Sequence, residues 1–170
     1  MNIFCLDTDP VVAAQYHCDK HNVKMILEAT QLLCTTFWMQ DIEAPYRKTH
    51  FNHPSAIWAR TSKKNFDWLF AHAIALCDEY TFRYGKLHKS AEILSWINQN
   101  SHKLKFDTLQ QTEFAVAISQ EQRCRTHPNF DDLSVVNKYR EYYNYDKASF
   151  CKWTKRKQPE WFKPVALHND

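Results

Sequence analysis

The sequence predicts an all-α fold: a single compact domain of four to five helices with a short extended lead-in at the N-terminus. Three observations point there. The 170 residues hold a single glycine, Gly85, and six prolines, too few for the many tight turns of a sheet-rich chain. The stretch from Asp9 to Trp38 carries Tyr16, Val23, Ile26, Thr30, Leu33 and Phe37 at spacings of 7, 3, 4, 3 and 4, the mark of one apolar helix face. A content of 44% hydrophobic and 15% aromatic residues supports a packed core and argues against disorder.

Taken in order, Ile3-Phe4-Cys5-Leu6 is an apolar lead-in, read as a small strand or an extended segment packed on the core. Asp9 is a suitable N-cap and Pro10 fits the first helical position, where no N–H is needed, so one uninterrupted helix is expected from there to Trp38. Residues 40–53 read as a loop, and Asn52-His53-Pro54-Ser55 as a turn, because a residue before proline avoids the helical region. A short helix follows over Ala56–Arg60. The next helix spans Ser62 to Tyr84, capped by Thr61 or Ser62 and stopped by Gly85, with Trp68, Leu69, Ala73, Leu76 and Tyr80 on its apolar face. Another carries Ile93, Leu94, Trp96 and Ile97 and breaks at Asn98–Ser101. Residues 99–131 are the least regular and are expected to wrap across the helices and border the cleft. A last helix starts near Asp132 or Ser134 and runs to about Lys157, and Gln158–Pro164 forms an extended tail. No repeat or linker divides the chain, so residues 1–170 form one domain, with a basic, aromatic end at 134–164.

Composition removes several function classes. A chain with one glycine has no Gly-rich loop to cradle phosphates, which excludes P-loop and dinucleotide-binding folds. The six cysteines (Cys5, Cys18, Cys34, Cys77, Cys124, Cys151) are scattered without a C-x-x-C pair, and Asp7 interrupts the N-terminal apolar stretch before a signal peptide can form. They read as reduced thiols of a cytoplasmic protein. No apolar run approaches the ~18–20 residues that span a bilayer, so no membrane partner is expected. No cofactor is implied.

Beside the apolar face of the first helix runs a polar line: His17, His21, Lys24, Glu28 and Gln31, spaced 4, 3, 4 and 3. It is the best candidate site, since histidine carries protons near neutral pH and a carboxylate can stabilise a developing cation. Asn65, His72 and Glu79 lie seven apart on the long middle helix, and His72 and Glu79 would face the first line if the two helices pack together. From Lys138 to Lys163 eight basic residues stand against three acids, a local charge of +5 on a chain of +3 overall. Basic residues interleaved with tyrosine and tryptophan suit a phosphate backbone and exposed bases. Lys20, Lys24, Arg60, Lys89, Lys155 and Arg156 are the expected phosphate contacts, and Trp161 and Phe162 the expected stacking or wedging pair. The reading favours base excision or related chemistry at a flipped nucleotide of DNA, with His21 and Glu28 foremost and His17, His72 and Glu79 as further members of the cleft. Two alternatives stay open: a metal-dependent hydrolase using the His17/His21 pair, and a non-catalytic viral module binding nucleic acid or protein. Sequence leaves the oligomeric state open.

Several pieces of the chain resemble the pyrimidine-dimer DNA glycosylases known as endonuclease V of tailed phages. Ala13-Ala14-Gln15 leading into Lys20-His21-Asn22-Val23-Lys24 is similar to that family's first long helix, and Lys155-Arg156-Lys157-Gln158-Pro159-Glu160-Trp161-Phe162 resembles its closing basic, proline and aromatic stretch. Glu79-Tyr80 to Gly85 agrees loosely. The resemblance implies a helical, host-cytoplasmic phage protein that acts on damaged DNA, with Lys20 and Lys24 gripping the strand. It also implies two departures. His21 stands where the family has its catalytic glutamate. The family's nucleophile is the α-amine of a small second residue exposed by methionine removal, whereas residue 2 here is asparagine, which favours retention of Met1.

Overall fold

The computed structural model describes residues 1–167. Six α-helices make up its regular structure: α1 (Pro10–Tyr16), α2 (Asp19–Trp38), α3 (Pro54–Thr61), α4 (Lys63–Tyr84), α5 (Ser90–Asn100) and α6 (Val135–Tyr142). No strand occurs among the described residues, so the lead-in Ile3–Leu6 is a buried extended segment. Of the described helices, none is long and apolar enough to cross a membrane.

Helix α4 is the central element, with α1, α2, α3 and α5 all packed against it. Leu32, Leu33 and Phe37 of α2 meet Leu69 and Leu76 of α4 and Leu94 and Ile97 of α5 in the dry core. The ends of α4 are set by local chemistry. The Ser62 hydroxyl accepts from the Asn65 amide at 3.1 Å, and Gly85 takes the left-handed conformation at φ 66° while its N–H bonds Thr81 O. Both signals were legible in the sequence.

The first helical run is not continuous. It breaks at His17 and Cys18, whose backbones turn extended, although neither is a helix breaker. Tertiary partners satisfy the groups freed there. Arg83 Nη2 donates to Gln15 O at 3.0 Å and the Trp153 indole to Tyr16 O at 2.8 Å, while the Cys18 amide donates to the Tyr143 hydroxyl at 3.3 Å. Arg83 also reaches the Asp19 carboxylate at 3.0 Å and Glu79 at 3.3 Å, with its side chain fully buried. The break lets α1 swing onto α4 while α2 runs on as a separate rod.

The last helix ends earlier than the sequence suggests. Helix α6 begins after the Ser134 cap, widens into a π-turn over Tyr143–Lys147, tightens into a 3₁₀ turn over Ala148–Phe150 and stops. The expected continuation to Lys157 is irregular chain, because residues 151–156 spend their polar groups on the α1–α2 break and on Glu79. Segment 101–134 contains only short 3₁₀ turns and does wrap across the helices, with Asn65 pinning Thr112 at 2.9 Å and the Asn2 amide group donating to Ala117 O at 2.8 Å.

Arg83 is thus the buried cation that joins α1, α2 and α4. Arg83→Met leaves Gln15 O without its donor and Asp19 without its cation, with only Thr154 still donating to that carboxylate, and Arg156 alone on Glu79 does not replace it. A loss of about 3 kcal/mol or more is expected, read as a lower urea midpoint; a loss below about 1 kcal/mol, the range of an exposed ion pair, contradicts the role.

Candidate active site

Glu28 projects from the middle of α2 and is 7% exposed. Its Oε1 accepts from two nitrogens of the chain start, the Met1 α-ammonium at 3.2 Å and the Asn2 amide at 3.1 Å. Its Oε2 is buried and has no partner. The pair lies in a polar cleft of about 290 Å³, whose walls include His21, Lys24, Gln122, Tyr142 and Lys147. An amine and a carboxylate in contact, with an uncommitted carboxylate oxygen and two lysines at the rim, form a site able to pass a proton beside an anionic ligand.

The chain start is held by Asn2. Its Oδ1 accepts from the Ile3 amide at 2.9 Å and the Phe4 amide at 3.3 Å, an Asx-type turn. The turn places Phe4 at φ 54°, a left-handed conformation that costs an aromatic residue about 1–3 kcal/mol. In return the Phe4 ring stacks beside Tyr142 at 5.7 Å and covers His21 at 4.2 Å, and its carbonyl meets His17 Nε2 at 2.9 Å.

His21 is fixed from the opposite side. The Tyr143 hydroxyl lies 2.6 Å from His21 Nδ1 and accepts from the Cys18 amide. Burial pushes the phenol well above its ordinary range, so it keeps its single proton. With that oxygen already accepting from the Cys18 amide, we assign the proton to Nδ1 and the His21 hydrogen to Nε2. Burial, and then Lys147, Lys24 and Lys20, push the His21 imidazole down to about 3. The sequence reading gave His21 a proton-carrying role near neutral pH; in this setting it is a neutral hydrogen-bond donor, because desolvation and three nearby amines oppose the imidazolium.

The other sequence-predicted residues divide clearly. Lys24 lines the cleft with His21 and Glu28, and Lys20 rests on the Phe150 ring at 4.6 Å one turn away. His17 and His72 are fully buried behind the cleft, with ring centroids 5.1 Å apart. His72 stacks on Trp68 at 4.9 Å and meets Pro10 O at 3.0 Å. They are core histidines and do not line the cleft. Glu79 belongs to a different cavity, lined by Gln15, Phe82 and Arg156, where its carboxylate holds Arg83 and takes Arg156 at 2.8 Å. Arg156, expected on phosphate, is therefore committed to Glu79. Lys155 reaches Phe82 O at 3.4 Å. Phe162 is buried against Trp153 at 4.8 Å, and Trp161 packs between Tyr16 and Tyr143, so the expected wedge is part of the core. Arg60 is half-buried at the end of α3 and Lys89 is exposed where α5 begins; neither lines the cleft.

The residues that sequence reasoning missed are the Met1 amine, Asn2, Tyr142, Tyr143 and Lys147. Lys147 was visible as part of the basic end. The α-amine and residue 2 entered the sequence reading only through the family resemblance, and the tyrosines carry no local signal, because only tertiary folding brings residues 1–4 and 142–147 to one face of α2. As to metal, His17 Nε2 is engaged by Phe4 O and His21 Nδ1 by Tyr143. Among the described residues no three His, Cys, Asp or Glu side chains stand together to share an ion.

The fold and cleft together define an all-α domain with a buried carboxylate–amine pair ringed by cations. No family model matches the chain, and no curated protein or solved structure matches it either.

Three buried imidazoles make the fold sensitive to acid. Burial, with the neighbouring His72 and His21, holds His17 well below its ordinary value, and burial pushes His72 down to about 4; His21 is lower still, at about 3. All three are neutral in the folded protein below the ~6.5 of an unfolded chain, so the unfolded state binds more protons there. Stability is fully present above that value and falls as pH drops toward the folded values. His72 and His21 should each cost roughly 2 kcal/mol at pH 5, and His17 acts in the same direction. Urea unfolding at pH 7.5 and pH 5 measures this, and equal midpoints would refute it.

Proposed function

We propose that this protein is a cytoplasmic DNA-acting enzyme that excises a base at an extruded nucleotide, using the α-amine held by Glu28 as nucleophile. The observation that carries the reading is the position of Glu28 Oε1 within 3.2 Å of the Met1 amine and 3.1 Å of the Asn2 nitrogen. The first needs no processing. If Met1 were removed, the new terminal amine would be the nitrogen already bonded to the same carboxylate. The asparagine at position 2 is therefore compatible with amine chemistry.

In the proposed reaction Glu28 takes the proton of the ammonium, and the freed amine attacks C1′ of the sugar. The new C1′–N bond forms as the glycosidic bond breaks, and the base departs with the electron pair and takes up a proton. Opening of the sugar ring gives an imine between protein and DNA, which water hydrolyses to restore the amine. Lys24 and Lys147 at the rim, with Lys20 beside them, supply cations for the flanking phosphates, and neutral His21 offers its Nε2–H to an oxygen. The resemblance of the first helix and the closing stretch to phage pyrimidine-dimer glycosylases supports the same chemistry, with Glu28 in place of a glutamate at position 21.

Borohydride reduction during incubation with ultraviolet-irradiated, abasic and plain duplexes tests this. The expected result is a covalent protein–DNA adduct on a modified duplex, mapping to the N-terminal peptide. Glu28→Gln should slow base release by about 10²-fold or more with the helical circular dichroism unchanged. Absence of an adduct and of base release on all three duplexes, or full turnover in Glu28→Gln, overturns the reading.

A further inference from the structure

The break between α1 and α2 also brings two thiols together. Cys18 is the N-cap residue of α2 and is fully buried. Cys151 follows the 3₁₀ turn Ala148–Phe150, is partly exposed, and points its sulfur at Lys147 O at 3.2 Å. The backbones on either side are tied to each other. The Asp19 amide donates to Lys152 O at 2.7 Å, Trp153 donates to Tyr16 O at 2.8 Å, and Thr154 donates to the Asp19 carboxylate from its amide at 2.9 Å and its hydroxyl at 2.6 Å. These ties lay the segment that follows Phe150 against the start of α2 and make the two sulfurs near neighbours.

We propose that Cys18 and Cys151 are an oxidation site, a dithiol that closes reversibly to a disulfide and clamps the C-terminal segment onto the start of α2. The site stands whatever ligand the cleft takes. The pair differs from the remaining cysteines. Burial pushes the thiols of Cys5, Cys34, Cys77 and Cys124 up, whereas the neighbouring Cys151 thiol first, and then the His21 amide, hold Cys18 down to about 7. The partner Cys151 rises correspondingly, because the two sulfurs share one proton.

A small-molecule disulfide such as oxidised glutathione serves as the oxidant. The accessible Cys151 passes its proton to Cys18 and attacks one sulfur of the oxidant, breaking its S–S bond and releasing one thiol. Cys18 then loses its proton and attacks the Cys151 sulfur, expelling the second thiol. Two protein thiols are oxidised to one disulfide while one small disulfide is reduced to two thiols. Lys147, on the cleft rim, and Phe150, which packs on His21 at 5.5 Å, lie just before Cys151, so closure fixes one wall of the cleft to the helix that bears Glu28.

The test is peptide mapping of the native protein after incubation with a glutathione redox series and alkylation of free thiols. The expected result is a peptide containing Cys18 linked to one containing Cys151, lighter by two hydrogens and separated by dithiothreitol, with the melting temperature raised in the oxidised form. Cys151→Ser alters a partly exposed side chain, and it should abolish both the link and the shift in melting temperature. A map in which Cys18 stays alkylatable under oxidising conditions, whether Cys151 is free or carries glutathione, overturns the proposal.

Discussion

The interruption of the N-terminal helix at His17 and Cys18 is the constraint on which the rest of the molecule depends. A continuous rod would carry α1 away from α4 and leave the lead-in Ile3–Leu6 with nothing to lie against. Breaking a helix in a buried place exposes backbone groups that need partners, and here Gln15 O, Tyr16 O and the Cys18 amide find theirs on distant elements: Arg83 from α4, Trp153 from the C-terminal segment, Tyr143 from the π-turn. The broken joint therefore works as a hub. Three distant stretches converge on it because each answers a specific orphaned donor or acceptor.

The same joint shapes the electrostatics of the cleft. Tyr143 satisfies the Cys18 amide and, with the same oxygen, sets the tautomer of His21. A hydroxyl that must accept from one side has its proton free for the other. The result is an imidazole held neutral beneath a ring of amines, and one carboxylate left to balance them. Charge in the cleft is thus asymmetric, with Lys24, Lys147 and the chain-start amine gathered around Glu28. Such a balance suits a polyanion at the rim and proton exchange at the base.

The sequence exposed the features that local chemistry controls. Ser62 and Gly85 bracket α4 where their capping chemistry predicts, Asp9 with Pro10 opens α1, and the scarcity of glycine matches the absence of strands among the described residues. The polar line on the first helix was legible and was read as the candidate site, but which of its members share one cleft was not. Four of its members, His17, His21, Lys24 and Glu28, separate in the structure: three border the cleft and His17 is sealed in the core. Periodicity reports direction around a helix axis and says nothing of which neighbour covers it. The seven-residue recurrence of His72 and Glu79 misled for the same reason, since α1, crossing α4, claims His72 while Arg83 and Arg156 claim Glu79. The early end of α6 was hidden as well, because no proline or glycine marks the π-turn.

The cleft joins residues 1–28 to residues 117–147, with most of the scaffold between them in the chain. On a ribosome that adds about 5–20 residues per second, Glu28 and its lysine neighbours emerge many seconds before Tyr142, Tyr143 and Lys147 can cover them. The nascent chain can pack α2 against α4 early, yet the pocket around Glu28 has no far wall until the C-terminal segment docks. Vectorial synthesis therefore delays assembly of the site until residue 147 has emerged, and a product truncated before it would keep much of the helical core while lacking the enclosure.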